Sequence, residues 1–540
     1  MESGCAVRFD RCRNVEPCRP GFRRDGMPPS TCRDHAYNRP VRPDSAIVVG
    51  GGLAGLAAAA RLAKGGVSVR LLESRPRLGG RATSFDDAVS GDTVDNCQHV
   101  GMGCCTALRQ FCDEAGLGDL FRIERELTFI DAEGRRSRFR GSNLPAPLHL
   151  ASAFAGLKYL TWRDRVQIAR GLRTLARQTQ PFDGSLADWL TAHRQGERAQ
   201  TLFWHVVLVS ALSETLDRID VAAARKVFVD GFLSHPDGYQ VHLPTRPLDD
   251  LYGPPMRRYL ESLGVAVETN AAARRFDWTA DSQRGTQAIE GLLLRDGRWL
   301  EADAYVVAVP PHRLDSLFPQ RRSTDHTPDR DAAIDGHGVR PARFPGRHGE
   351  LEHAPIASVH LWFGRPITDL PHAVLVEHLS QWVFARPPAA DGLGHYYQVV
   401  ISASRDVLGR PQDEVIAEVV DELRSVFPDA RGSDVLRSRM VVEKRAVFSV
   451  TPGSQSLRPS QRTAFGNVFL AGDYTRTGWP ATMEGAVRSG ELAAAAALDD
   501  EPAIPPDLPR GRLARWFIGG DREASVSAES APPRSPSPDP

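Results

Sequence analysis

The chain has 540 residues, room for a large two-domain enzyme, and its 47 glycines and 40 prolines fall well short of low-complexity composition. Lysine plus arginine equals aspartate plus glutamate, 67 against 67, so no net field draws a polyanion and nucleic acid is excluded as a default partner. The longest apolar run, 46–60, stops at Arg61 and holds four glycines, which is short of the ~18 residues of a spanning helix.

Residues 1–44 lack hydrophobic periodicity and residues 501–540 end in a Pro/Ser run, so both are expected to be disordered tails. Cys5, Cys12, Cys18 and Cys32 lie in the first tail, and Cys97, Cys104, Cys105 and Cys112 further in. With no C-x-x-C pair and no secretory signal they read as reduced thiols of a cytoplasmic protein, and no metal site is expected. Arg23-Arg24 is followed by Asp, Gly and prolines, which speaks against a twin-arginine export signal.

The first ordered element is a buried-strand pattern at 46–49. It runs into Gly50-Gly51-Gly52-Leu53-Ala54-Gly55 and an alanine-rich helix to Lys64, and a second strand at 68–72 ends at Glu73. This is a βαβ opening with G-x-G-x-x-G at its first turn and an acid 18 residues after the last glycine. Gly50 permits the tight turn, Gly52 lets bare backbone approach a pyrophosphate, and Gly55 lets the helix pack close to the strand. The helix start then offers unpaired N–H groups to phosphates, and Glu73 is placed to accept hydrogen bonds from a ribose.

Which dinucleotide binds is decided downstream. Leu78-Gly79-Gly80-Arg81 follows Glu73, and far away Ala471-Gly472-Asp473 precedes Trp479 and Met483-Glu484-Gly485-Ala486. A nicotinamide needs neither motif, whereas a flavin's ribityl chain and ring extend past the first βαβ unit and require backbone from the far end of the chain. FAD is therefore the expected cofactor. Asp473 would hold ribityl hydroxyls, and the helix starting at Met483 and Glu484 would stabilise negative charge on the reduced ring. Trp479 is placed either to wall the flavin face or simply to pack.

Together these motifs resemble the FAD-dependent amine oxidase and phytoene desaturase superfamily, and more narrowly the hydroxysqualene dehydroxylase (squalene-associated FAD-dependent desaturase) family. The narrower likeness rests on Val94-Asp95-Asn96-Cys97-Gln98-His99-Val100, on 144–148, 226–232, 247–253 and 359–363, and on Thr477-Gly478-Trp479-Pro480-Ala481-Thr482. It spans 46–497, interrupted by a polar insertion at 321–352.

The resemblance implies an α/β fold with a discontinuous Rossmann-like FAD-binding domain (45–143, 241–320 and 456–500). It also implies an α+β substrate domain, with a mixed sheet (353–455) and a helical, membrane-facing part (144–240). Residues 264–270 and 303–310 are then returning strands of the flavin domain, and backbone at Ala273 meets the adenine. The implied reaction reduces hydroxysqualene, or a similar C30 isoprenoid, to squalene on the bacterial route to hopanoids. The hydroxyl leaves as water, hydride comes from reduced flavin, and a donor such as NADPH reloads it. Two other readings share the motifs: a carotenoid or phytoene-type desaturase, which runs hydride the opposite way, and a non-catalytic prenyl-lipid escort protein on the same fold.

Such chemistry needs few polar groups beyond one proton source. His99 is the titratable candidate near neutral pH, Glu484 competes, and a purely structural Gln98-His99 pair is the alternative. The four inner cysteines read as core residues. Finally, 144–177 carries an apolar stripe through Leu150, Phe154, Leu157, Val166 and Leu172. Opposite it stand Lys158, Arg163, Arg165, Arg170, Arg173 and Arg177 against Asp164 alone. That is the pattern of an amphipathic segment on an anionic interface, so peripheral contact with the inner face of the cell membrane is expected.

Overall fold

The computed structural model describes residues 42–88, 91–281, 286–318, 346–386, 392 and 394–519. Residues 1–41 of the expected N-terminal tail, with its four cysteines, residues 321–345 of the polar insertion and residues 520–540 lie outside the described residues.

Short β-branched runs buried on both faces belong in the middle of a parallel sheet, and Ser45–Val49, Ala304–Val307 and Val468–Leu470 are such runs. They form a five-stranded, wholly parallel sheet in the order Ala266–Glu268, Ser68–Leu72, Ser45–Val49, Ala304–Val307, Val468–Leu470. The chain therefore leaves this domain and returns to it twice, which is the discontinuity expected from the sequence. Two small-residue helices, Leu53–Lys64 and Met483–Leu498, pack against each other beside it. Gly490 makes the approach possible, since a Cβ there would collide with the carbonyl of Ala54.

The second sheet has seven strands in the order Val435–Phe448, His353–Phe363, His395–Ile401, Trp382–Ala385, His372–Leu375, Glu126–Ile130, Arg136–Arg140. Only His372–Leu375 and Glu126–Ile130 pair in parallel, so the sheet is mixed. The hairpin formed by Glu126–Ile130 and Arg136–Arg140 falls, by sequence number, within the expected first flavin segment 45–143, yet its hydrogen bonds run to this second sheet. Strand alternation divides the apolar residues between two cores. Ala373, Leu375, Val383, Val399 and Ile401 pack with Val415, Val419 and Leu423 of the helix Gln412–Val426. Their neighbours Val374, Trp382, Phe384 and Val400 face the other way, towards a cavity roofed by the helices of 144–240.

Two expectations are corrected. The segment 144–177 is not one continuous stripe but Leu148–Leu150, Ala151–Ala155 and Trp162–Ala176. The break falls after Gly156, and Thr161 restarts the helix through a reciprocal capping box with Asp164. The tail expected from 501 contains a helix at Arg512–Ile518 whose Ala514 and Ile518 are buried in the main core. The Pro/Ser run that dominates the composition of 501–540 lies beyond it. Composition averages over a window, and a few apolar residues suffice where an apolar surface already awaits them.

Candidate functional site

At the first turn of the parallel sheet the glycines divide by task. Gly50 has φ +114° and Gly80 has φ +65°, the left-handed region that glycine adopts without strain. A Cβ on Gly55 would strike the carbonyl of Gly50. Gly52 is different: a Cβ there would meet nothing closer than Gly80 Cα at 3.8 Å, so the space in front of it is open and walled by bare backbone. The helix Leu53–Lys64 begins at Gly52 with no side-chain cap and no acid in its first turn. Its N–H groups therefore point, unpaired by any side chain, at an open backbone cradle, which is an anion site.

The predicted cofactor residues gather around it. Gly79 bridges Gly52 in parallel, bringing the Leu78-Gly79-Gly80-Arg81 turn to the cradle. Glu73 is buried, and its carboxylate accepts from Gly51 N–H at 2.7 Å, Arg75 N–H at 2.8 Å and the Ser74 hydroxyl at 3.0 Å, so it holds the turn from below. Arg81 forms an ion pair with Asp473 at 2.6 Å, joining two motifs 392 residues apart. Ala273 opens the strand Ala273–Asp281 beyond the Glu73 loop, whose carbonyl accepts from Ala271 N–H at 2.8 Å. The open cradle, the uncapped helix and the Arg81–Asp473 pair fit a dinucleotide whose far end lies toward 472–483.

Glu484 and Trp479 also make firm contacts within the protein. Glu484 is fully buried, and it accepts from the backbone N–H groups of Ala107 at 3.1 Å and Leu108 at 2.7 Å and from Arg488 at 2.6 Å. It caps the helix Thr106–Glu114 from a distance, and these bonds occupy both its oxygens; Met483 beside it meets the Tyr252 hydroxyl. Trp479 is buried between two cations, Lys226 at 4.2 Å and Arg488 at 5.1 Å from its ring centre.

Asn96 donates to the Arg81 carbonyl at 3.3 Å, and two residues on, Gln98 enters the lining of an apolar cavity of about 360 Å³. Phe203, Phe228 and Phe232 wall it on the helical side, where the chain twice relaxes into π-helical turns at Gln200–His205 and Val229–Leu233. No carboxylate, imidazole, ammonium, guanidinium or thiol is among its described lining residues. After the bends at Asn96 and Cys97, Gln98 and Val100 line the cavity and His99 between them does not. His99 instead bonds the Cys97 carbonyl through Nδ1 at 2.9 Å, and burial pushes its imidazole below the usual value, which makes it neutral at pH 7. The expected proton source is thus neither charged nor in the cavity. Burial also pushes the Cys97 and Cys112 thiols up to about 12, so both stay protonated.

Polar groups do reach the cavity: Ser210, Ser402, Tyr159 and Tyr239 are in its lining, and so is Gln98, the neighbour of His99. Gln98 Oε1 accepts from Arg386 at 2.8 Å, and the same guanidinium pairs with buried Asp95 at 2.7 Å. An arginine only donates, so the amide oxygen must face it, and the Nε2 group on the other side donates to the His99 carbonyl at 3.3 Å with its second hydrogen to spare. Buried Asp95 required a cation by the cost of isolated buried charge. Nothing local singled out Arg386 among 67 lysines and arginines.

An FAD-type cradle on a parallel sheet, together with an apolar chamber on a mixed sheet, defines a flavin-dependent oxidoreductase. Residues 53–498 match the family described as flavin containing amine oxidoreductase, and the chain belongs to it; FAD is its cofactor. Among curated relatives, the chain is 29% identical to the 15-cis-phytoene desaturase of Glycine max over 87% of this chain and 82% of that one. It is 27% identical to the 15-cis-phytoene desaturase of Synechococcus elongatus over 83% of this chain and 94% of that one. Among solved structures, an oxidoreductase from Methanosarcina mazei superposes with a TM-score of 0.60 at 18% identity, covering 84% of this chain and 100% of that one. The cyclohexylamine oxidase from Brevibacterium oxydans gives 0.56 at 18% identity, covering 85% and 99%. These two likenesses concern the fold alone.

Proposed function

We propose that this enzyme exchanges hydride with a long isoprenoid chain held in the apolar cavity, and that its reaction is desaturation of a carotenoid-type polyene. Introducing one C=C bond removes a hydride and a proton from adjacent carbons, and a bound FAD would take up both overall in becoming FADH2. The observation that carries the reading is the lining of the cavity. With no ionisable side chain other than two tyrosines, Tyr159 and Tyr239, it binds and aligns a hydrocarbon and excludes water, and it offers no acid strong enough to expel a hydroxyl. The relatives named as phytoene desaturases support the same direction.

Reduction of hydroxysqualene to squalene is the second reading. It is favoured by the sequence likeness around Asp95-Asn96-Cys97-Gln98-His99 and by the Gln98 amide, whose Nε2 could donate to a substrate hydroxyl at the cavity end nearest Arg386. Anaerobic single turnover separates the two. Bleaching of the oxidised enzyme by phytoene, with a more unsaturated product by mass spectrometry, supports desaturation. Reoxidation of the prereduced enzyme by hydroxysqualene, with release of squalene, replaces it by the second reading.

A further inference from the structure

The outer end of the cavity opens between the segment 144–155, the helix Trp162–Ala176 and the C-terminal helix Arg512–Ile518. Exposed Leu148, Ala151 and Ala169 lie on its rim, and Phe517 contributes to its wall. Among the described residues the large apolar side chains left exposed concentrate here. Trp162 is 67% exposed and Trp516 64%, with Leu144, Leu148 and Val166 beside them in sequence. Along the helix, Trp162, Val166, Arg170, Arg173 and Arg177 recur at spacings of three and four, so indole, aliphatic and guanidinium groups share one outward stripe.

The two helices form a single face. Arg177 donates to the carbonyls of Phe517 at 2.9 Å and Trp516 at 3.1 Å, closing the end of the short C-terminal helix, and Arg173 lies 5.6 Å from the Trp516 ring centre. Arg163 stands over Trp162 in the same way at 5.7 Å, and Arg512 and Arg515 add exposed positive charge. The one acid within 144–177, Asp164, is buried in its capping box and does not offset this charge at the surface.

We propose that this face docks on an anionic lipid bilayer, with Trp162 and Trp516 seated at the headgroup level and the arginine stripe on lipid phosphates, so that the cavity mouth opens directly into the acyl layer. The chemistry selects a bilayer. Cations interleaved with amphipathic indoles match an anionic interface, and the chamber behind them takes a cargo that water does not carry. No described helix is long and apolar enough to cross a membrane, so the contact lies in the interface plane. The inference holds for either direction of hydride transfer.

The test is flotation of the full-length holoprotein with vesicles of phosphatidylcholine alone or mixed with phosphatidylglycerol. Binding is expected to the anionic vesicles and to weaken as salt rises. Brominated acyl chains should quench tryptophan fluorescence. The double variants Arg170→Glu/Arg173→Glu and Trp162→Ala/Trp516→Ala, with flavin content unchanged as the check on folding, should each bind on the order of 10²-fold more weakly. The tryptophan pair should also abolish the quenching. Equal binding to both vesicle types, or unchanged binding by both double variants, overturns the proposal. So does a lipid-free wild-type dimer that the tryptophan variant dissociates, which would assign the face to a second copy of the chain.

Discussion

Around the nucleotide turn, contact is made by backbone. Gly55 sits under the Gly50 carbonyl, Gly490 against Ala54, and Ala57, Ala58 and Ala59 are wholly buried between helix and sheet. Around the cavity, contact is made by large rings: Phe203 stacks on Phe228 at 5.6 Å and meets Phe154 edge-on at 5.6 Å, while Trp204 meets Phe228 at 5.1 Å. The first region excludes atoms so that backbone can approach a ligand. The second surrounds a void with side chains that can turn. Tolerance to substitution should follow: abrupt at the turn, where carbonyls cannot move aside, and graded in the cavity wall, where rings can partly fill a gap.

The sharpest test lies within the turn itself. Gly55→Leu should prevent folding or cost more than about 4 kcal/mol by thermal or urea denaturation, because the clash is with backbone. Gly52→Val, three residues away, meets open space, so the apoprotein should keep its melting temperature within a few degrees while flavin absorbance is lost from the purified protein. If both variants behave alike, the division of labour among these glycines is wrong. Next in size, Asp95→Asn leaves the Arg386 guanidinium buried without its counter-charge and should cost about 3–5 kcal/mol, measured by chemical denaturation. Phe203→Ala in the cavity wall should cost about 3 kcal/mol with full flavin content, and less if Phe154 and Phe228 close the gap.

Smaller effects are expected from the histidines. His99→Ala should slow turnover by less than about tenfold, where loss of a true general acid gives roughly 10²- to 10⁴-fold. A larger drop would return His99 to the chemistry. Fully buried His149 has neither ring nitrogen hydrogen-bonded, and burial lowers its value from 6.5 to about 4. The unfolded chain then binds more protons than the folded one between those values. Stability should be intact above about 6.5 and decline as pH falls toward 4. His149→Phe should flatten that decline in a series of melting curves across the range.

Much of the flavin half was legible from the sequence because its determinants are local. A strand, a turn of glycines, a helix and an acid follow one another within 46–73, and Gly50 and Gly55 are required by backbone geometry that no other residue supplies. The far motif at 471–486 could be recognised for the same reason, but the ion pair that joins it to the first motif, Arg81 to Asp473, is seen only in the structure. The cavity half was legible only as apolar composition. Alternation in 372–402 shows two faces but not which one borders a void, and of the neighbours Gln98 and His99 only Gln98 lines the cavity. The Asp95–Arg386 pair joins residues 291 positions apart, and the C-terminal helix acquires its meaning from Arg177, 340 positions before Phe517. The sequence by itself determined the cofactor turn, the parallel sheet and the basic, indole-bearing segment. Tertiary structure alone decided which polar groups enter the cavity, which acid is spent on a cap, and where the chamber opens. The reason is that burial and pairing are properties of the assembled packing, which a run of neighbouring residues does not contain.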